Sequence, residues 1–197
     1  MSNHWEYVFS AILLLALVSI YEFITSSVQF DSKRQEELLS GCGVGVVTII
    51  LLNNPVNISE GIFVDSRWVW LSCCAIFLNW RVVVIGGIIA ATYRYIQGGA
   101  GAFPGVMTVV VSIAIGFLWR WVLVLNQWKF RWYLHYLFAF SLEVAILIVL
   151  YTFMPFNKGP MVVSVVLGPL LVVFPILSTV LSLLLQHHYR KGVAGFK

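Results

Sequence analysis

Two arginines, Arg67 and Arg94, are the residues of this sequence whose type and placement best suit binding chemistry. They frame a long apolar stretch that is interrupted near its middle by Asn79, Trp80 and Arg81. A guanidinium is a planar fork of donors that binds a carboxylate or a phosphate through two hydrogen bonds, and it stays charged when partly desolvated. Placing an arginine near the centre of a membrane costs at least about 2.5–3.5 kcal/mol, and functional sites tolerate that cost. The pair therefore predicts a site for a small anion.

A glycine-rich turn follows Arg94 and adds to this prediction. Gly98, Gly99 and Gly101 lack a side chain, so backbone N–H groups in the turn can approach a ligand closely. Pro104 suits the first turn of the next helix, whose positive dipole end would face the same cavity. Thr108, one turn into that helix, is the expected hydroxyl donor.

A structural interpretation of the same residues stays open at this point. Arg67 could pair with Asp65 or Glu60, and Arg94 could reach lipid headgroups beside Tyr93. The glycine turn could simply be a tight connection. Asp65 is nevertheless counted among the candidate ligand-binding residues.

The composition identifies a polytopic all-α membrane protein. Hydrophobic residues make up 60% of the chain and charged residues 10%, with a mean hydropathy of +0.93. The net charge of +4 is scattered over segment ends without forming a basic stripe, so we expect membrane lipids as partners and no nucleic acid. The cysteines, Cys42, Cys73 and Cys74, lie in apolar stretches without metal-ligand spacing and are interpreted as packing residues.

Hydropathy predicts six to seven passes, including a hairpin of two short or broken helices. A spanning helix needs about 20 apolar residues, although shorter pieces persist when they are buried among other helices. Residues 28–39 are predicted to be a loop or an interfacial helix. The predicted apolar segments are 6–27, 40–52, 66–79, 82–95, 102–120, 133–153 and 161–186.

The distribution of basic residues predicts the orientation of these segments. Cytoplasmic loops are enriched in Lys and Arg. Placing the C-terminus inside also places Arg81, Arg120 and the loop of Lys33 inside, so we expect the N-terminus outside and the C-terminus in the cytoplasm. Arg67 and Arg94 break the rule together, both at the outer ends of their segments.

Several rare features, taken in order, resemble the five-transmembrane receptor domain of LytS-type sensor kinases and YhcK-type diguanylate cyclases. The resemblance covers residues 25–186 and departs from the family at Phe77–Arg81, where members commonly have a break that contains glycine and proline. The residues that carry it are Asn54-Pro55, Gly61, Asp65-Ser66-Arg67, Tyr93-Arg94, Gly98-Gly99-Ala100-Gly101 and Gly105.

This resemblance implies a sensor in the bacterial inner membrane that detects a small extracytoplasmic ligand, such as a pyruvate-like carboxylate. Arg67 and Arg94 would then hold the carboxylate, and Gly105 and Thr108 would line the pocket. The implied domains are an N-terminal transmembrane helix (1–27), the sensor domain (28–186) and the start of a cytoplasmic linker (187–197). The resemblance also implies a homodimer, and we expect the full-length protein to continue into a kinase or diguanylate cyclase domain.

The sequence contains no catalytic constellation, phosphate loop or zinc set, so no enzymatic activity, cofactor or metal is predicted for this chain. Glu143, within an apolar segment, is interpreted as a packing hydrogen-bond donor, an arginine partner or part of a proton path, the first being favoured. Two other functions stay open. A small-solute transporter, or its substrate-capture subunit, would also use broken helices and an internal carboxylate. A scaffold or dimerisation module would bind no ligand.

Overall fold

The computed structural model describes residues 4–59, 62–99, 101–125, 131–154 and 159–193. This part of the chain forms helices joined by short connections and one hairpin of strands, which the sequence had not predicted. The predicted all-α fold is otherwise confirmed. In chain order the elements are α1 (His4–Ser27), α2 (Lys33–Asn53), β1 (Val56–Ser59), β2 (Ile62–Val64), α3 (Arg67–Phe77), α4 (Trp80–Gln97), α5 (Ala102–Leu125), α6 (Trp132–Phe153) and α7 (Gly159–Val193).

Within the described ranges, five helices are long and apolar enough to cross a membrane, which confirms the prediction of a polytopic membrane protein. Each of these segments has at least 20 residues, about 30 Å of helix. By contrast α3, the first arm of the predicted hairpin, has 11 residues and extends for only about 16 Å. The candidate spans are Val8–Ser27, Lys33–Asn53, Ala102–Leu125, Trp132–Phe153 and Val166–His187.

The structure differs from the sequence-based expectation at the start of α2. The sequence predicts a polar connection over 28–39 and a short span over 40–52, but α2 is one continuous helix from Lys33. Ser32 caps it by accepting a hydrogen bond from the backbone N–H of Gln35 at 3.3 Å. Glu37 lies buried in this first part because its carboxylate pairs with Arg81 of α4 at 3.0 Å. The pairing with Arg81, which is distant in the sequence, therefore allows α2 to begin within residues that are polar.

The turn between α3 and α4 lies where the sequence predicts it. Asn79 is the N-cap of α4: its side-chain oxygen accepts from the backbone N–H of Arg81 at 3.1 Å. The amide group of the same side chain donates to Glu37 at 3.0 Å. One asparagine therefore starts α4 and ties the hairpin turn to α2.

Helix α3 lies at the centre of the bundle. Every one of its residues is buried, and it contacts α2, α4, α5, α6 and α7. A helix that is apolar all round can be stable only in such a position. Cys73 and Cys74 are fully buried on it, where the sequence places packing residues. Any side chain on α3 is therefore in contact with another helix.

A close approach of α5 to α3 depends on Gly116. A Cβ atom at this position would lie 2.6 Å from Cβ of Ala75 and would collide with the backbone carbonyl oxygen of Ser72. Backbone cannot move aside as a flexible side chain can, so the two helices can pack at this distance only because residue 116 has no side chain.

We expect Gly116→Ala to lower the thermal midpoint of the detergent-purified protein. Overpacking of this kind costs about 1–3 kcal/mol. Gly168→Ala is the matched control, because a Cβ atom there would meet no atom within 4 Å. Since alanine favours helices over glycine by about 1 kcal/mol, the control should unfold at the same temperature or higher. Equal midpoints for the two variants would contradict the packing described here.

Candidate functional site

The candidate site begins at the first turn of α3, where Asp65 and Arg67 interact twice. The Asp65 carboxylate accepts a hydrogen bond from the backbone N–H of Arg67 at 3.1 Å, which satisfies a free donor at the helix start. Its second oxygen lies 3.2 Å from the Arg67 guanidinium. Both side chains are only 7% exposed. The structural pairing that the sequence left open, of Arg67 with Asp65, is therefore present.

Thr108 of α5 fixes the other end of the Arg67 guanidinium. Its hydroxyl accepts from Arg67 at 3.0 Å and donates to the backbone carbonyl of Gly105 at 2.8 Å. The sequence predicts that this hydroxyl donates to a ligand, but here its proton is already used. The Nε atom of Arg67 is buried without a hydrogen-bond partner. Arg67 is thus held by Asp65 and by Thr108 of α5, and only its Nε nitrogen has no partner among the described residues.

Arg94 is bound differently, through neutral groups alone. It lies in the last turn of α4, where a positive charge complements the helix dipole. Its guanidinium donates to the side-chain oxygen of Gln97 at 3.3 Å and to the carbonyl of Gly98 at 3.4 Å. Among the described residues no carboxylate forms an ion pair with it. Arg94 is therefore an uncompensated, partly buried cation.

Two glycines at the start of α5 make room for the Arg94 side chain. A Cβ atom at Gly105 would lie 2.6 Å from Nε of Arg94, and one at Gly101 would lie 3.0 Å from its NH2 atom. The arginine therefore lies directly across the first turn of α5. A larger residue at position 105 would displace the guanidinium.

The glycine turn has a backbone that other residues rarely adopt. Gly98 and Gly99 have φ values of +68° and +81°, where glycine alone is unstrained. Gly98 follows the last residue of α4, and its N–H donates back to the Tyr95 carbonyl at 3.1 Å. That donor, which the sequence predicts to face a ligand, is therefore used to end α4.

These elements enclose a cavity of about 510 Å³ at one end of the bundle. This volume is within the range of small-molecule sites. The structure brings all eight predicted ligand-binding residues to its wall: Asp65, Arg67, Arg94, Gly98, Gly99, Gly101, Gly105 and Thr108. That they bind a ligand stays a prediction. Glu60 and Gly61 lie outside the described residues.

Among the described residues, the charges that line the cavity sum to +1, from two arginines and one aspartate. Arg67 and Arg94 line this one cavity, and Arg94 is partly buried. The two arginines therefore share one electrostatic environment. An anion that enters would relieve their repulsion and replace the water that Arg94 has lost.

Sequence reasoning missed several of the residues that line the cavity. Trp68 follows Arg67 and lines the cavity, although it is only 2% exposed. Leu150 and Met154 come from the end of α6 and add apolar surface. Asn53, at the end of α2, accepts from the hydroxyl of Tyr93 at 2.9 Å. No periodicity signals these residues, because they meet the arginines only through the tertiary fold.

The other polar residues of the apolar segments serve helix packing. Glu143 is fully buried and accepts a hydrogen bond from the indole N–H of Trp68 at 3.2 Å. His135 is also fully buried, between Ser182 at 2.6 Å and Gln186 at 2.8 Å. Within the described residues, no group of three or more His, Cys, Asp or Glu side chains is arranged to hold a metal ion.

A second cavity, of about 240 Å³, lies at the opposite end of the bundle. Its charged lining residues are Lys33, Glu36 and Glu37, which sum to −1. Because Glu37 is already paired with Arg81, this cavity offers an anion no free arginine. The larger cavity is the better candidate site.

Comparison with known proteins identifies one family. The family described as 5TMR of 5TMR-LYT matches residues 11–188, which is nearly the whole chain. No curated protein and no solved structure matches the sequence. The match begins inside α1 and ends inside α7, so all the elements that form the larger cavity lie within it.

We expect Asp65→Asn to destabilise the protein more than Glu37→Gln does. Both changes replace a carboxylate with an amide that can still accept a hydrogen bond. Asp65 neutralises a buried arginine, and breaking such a pair costs about 3–5 kcal/mol. Arg81, which pairs with Glu37, is 57% exposed, so losing this ion pair should lower the free energy of unfolding by roughly 0–1 kcal/mol. Thermal unfolding in detergent measures both, and equal losses would contradict the buried pairing.

Proposed function

Because the chain belongs to the 5TMR-LYT family, and is therefore a transmembrane sensor module, we propose that its larger cavity detects a small carboxylate. The ligand would enter from outside the cell and bind between α3, α4 and α5. The one observation that carries this proposal is Arg94, a partly buried cation without a carboxylate partner among the described residues, directed against a glycine surface in a cavity.

The charge of the cavity favours an anion with a single negative charge. Asp65 already neutralises Arg67, so a monocarboxylate would bring the sum of the lining charges to zero. A second negative charge would lie beside Asp65 in a partly desolvated space and would be repelled. The planar fork of Arg94 suits a carboxylate through two hydrogen bonds.

The apolar side of the cavity favours a ligand with a short carbon chain. Trp68, Pro104, Leu150 and Met154 lie among the lining residues, so the part of the ligand away from its carboxylate would contact hydrocarbon. Lining of this kind, with a few placed polar groups, is typical of small-molecule sites.

The distribution of basic residues supports an external position for this cavity. Lys33, Arg34 and Arg81 lie at the end of the bundle opposite the cavity, as do Arg120 and Arg131. Since basic residues favour the cytoplasmic side, the proposed orientation has the N-terminus outside and the C-terminus in the cytoplasm of a bacterial inner membrane.

The last helix is the proposed output element. Helix α7 extends over 35 residues and contacts α6, α3 and α1. In the proposed mechanism the carboxylate stabilises one arrangement of the helices, and α7 carries the change to a cytoplasmic kinase or diguanylate cyclase. The chain would act as a homodimer. A ligand can shift this equilibrium only by its difference in affinity for the two states.

We expect a monocarboxylate such as pyruvate, lactate or acetate to raise the thermal midpoint of the purified protein. A ligand at 100 times its dissociation constant should stabilise by about 2.7 kcal/mol. Arg94→Ala should abolish this effect, and Arg94→Lys should reduce it because the ammonium group lacks the planar fork. Arg81→Ala, at the opposite end of the bundle, should leave it unchanged.

Two results would contradict the proposal. Stabilisation that is equal in the wild type and in Arg94→Ala would place the ligand elsewhere. Uptake of the labelled carboxylate into vesicles that contain the wild-type protein would assign transport in place of sensing. Malonate and inorganic phosphate test the charge argument, because each should stabilise less than pyruvate at the same concentration.

A further inference from the structure

Two consecutive residues at the start of α3 face different parts of the protein. Successive residues of a helix point about 100° apart. Arg67 is held by Asp65 and Thr108 at the cavity, whereas Trp68 contacts the cavity and also reaches α6 and α7. A movement of the first turn of α3 would therefore change both the contacts of Arg67 at the cavity and the contacts of Trp68 with α6 and α7.

The contacts of Trp68 with α6 and α7 are specific. Its indole N–H donates to the Glu143 carboxyl at 3.2 Å. Its ring packs against the ring of Phe174 on α7, with centroids 5.2 Å apart and planes inclined by 40°. Glu143 is fully buried and Phe174 is 2% exposed, so water does not compete for either contact.

Two buried polar side chains lie together where α6 meets α7. Glu143 of α6 and Ser178 of α7 are both fully buried, and the two side chains are near enough to interact. Phe174 and Ser178 are four residues apart on α7 and therefore lie on one face, towards α3 and α6.

The stretch of α7 between Phe174 and Ser178 contains Pro175. Proline has no backbone N–H, so the helix lacks one internal hydrogen bond at this position. Helices bend most readily at such points. Trp68 therefore contacts α7 beside one of the points where this helix lacks an internal hydrogen bond.

We propose that Trp68 is the positioning residue that couples occupancy of the arginine cavity to α7, through its hydrogen bond to Glu143 and its ring contact with Phe174. This inference rests on the proposed function. A carboxylate held by Arg94 that draws Arg67 towards it shifts the first turn of α3. The indole moves with it and changes the position of α7 around Pro175.

Trp70 provides a matched control on the same helix. It is fully buried, and its indole N–H also donates a hydrogen bond, at 3.3 Å, but the acceptor is the Val44 carbonyl of α2. Replacing either tryptophan with phenylalanine removes one indole N–H from α3. Only Trp68→Phe removes the link to α6.

The experiment measures the position of α7 in the whole chain. Spin labels at Arg34→Cys and His187→Cys, both exposed and at the same end of the bundle, report the distance between α2 and α7 by pulsed electron resonance. Cys42, which is exposed, is replaced by serine, and dilution with unlabelled protein keeps the measured distances within one chain. Pyruvate is the probe ligand.

In the ligand-free protein we expect Trp68→Phe to shift or broaden the distance distribution by on the order of 1–2 Å, the usual size of helix shifts in switching proteins. Trp70→Phe removes a contact with α2 and none with α6, so pyruvate should still move the α7 label in this variant as it does in the wild type. Glu143→Gln retains an acceptor for the indole and should also match the wild type, whereas Glu143→Leu should reproduce Trp68→Phe. A ligand-free distribution in Trp68→Phe that is the same as that of the wild type would overturn the coupling.

The pyruvate measurement separates this inference from the proposed function. If pyruvate raises the thermal midpoint of Trp68→Phe as it does in the wild type but no longer moves the α7 label, Trp68 transmits the signal without being needed for binding. A label that still moves in Trp68→Phe overturns the coupling. If pyruvate fails to stabilise the wild type, the proposed ligand is wrong, and the ligand-free distances alone decide for or against the link from Trp68 to α7.

Discussion

The arrangement of the larger cavity depends on keeping a charged residue in the first turn of a fully buried helix. Arg67 can occupy this position because Asp65 neutralises its charge and the Thr108 hydroxyl accepts a hydrogen bond from its guanidinium. Charges of this kind are costly to bury unless each is paired and hydrogen bonded. Asp65 also caps α3, so one carboxylate fixes both the start of the helix and the direction of the guanidinium. Thr108 then ties α3 to α5, the helix that forms the opposite wall of the cavity.

Arg94 is accommodated in the protein in a different way from Arg67, and this difference explains the positive charge of the cavity. No described carboxylate pairs with Arg94, which lies against Gly101 and Gly105 at the end of the bundle that contains the larger cavity. Carbonyl and amide oxygens satisfy part of its donors without removing its charge. One arginine is thus a fixed part of the fold, and the other keeps the positive charge that an incoming anion requires. From the sequence alone the two had seemed equivalent.

Residues with local signals were placed well by sequence reasoning, and those with distant partners were not. The turn at Asn79 follows from the two polar residues, Asn79 and Arg81, inside an apolar stretch, and the glycines after Arg94 mark the end of α4. The first turns of α2 looked like a loop because the burial of Glu37 depends on Arg81, which is 44 residues away in the chain. The packing role favoured for Glu143 agrees with its hydrogen bond to Trp68, although Glu143 accepts this bond and was predicted to donate one. A partner 75 residues away has no signal in a single sequence.

The central position of α3 also explains why its first turn suits communication between sites. A helix in contact with neighbours on every side cannot shift at one point without repacking elsewhere, because protein interiors are close-packed. At the far end, α5 crosses α3 so closely at Gly116 that the backbones leave no room for even a methyl group. The opposite end of α3 borders the larger cavity and therefore has more freedom. Displacements of α3 are therefore directed to the end that contains Arg67 and Trp68, and from there to α7.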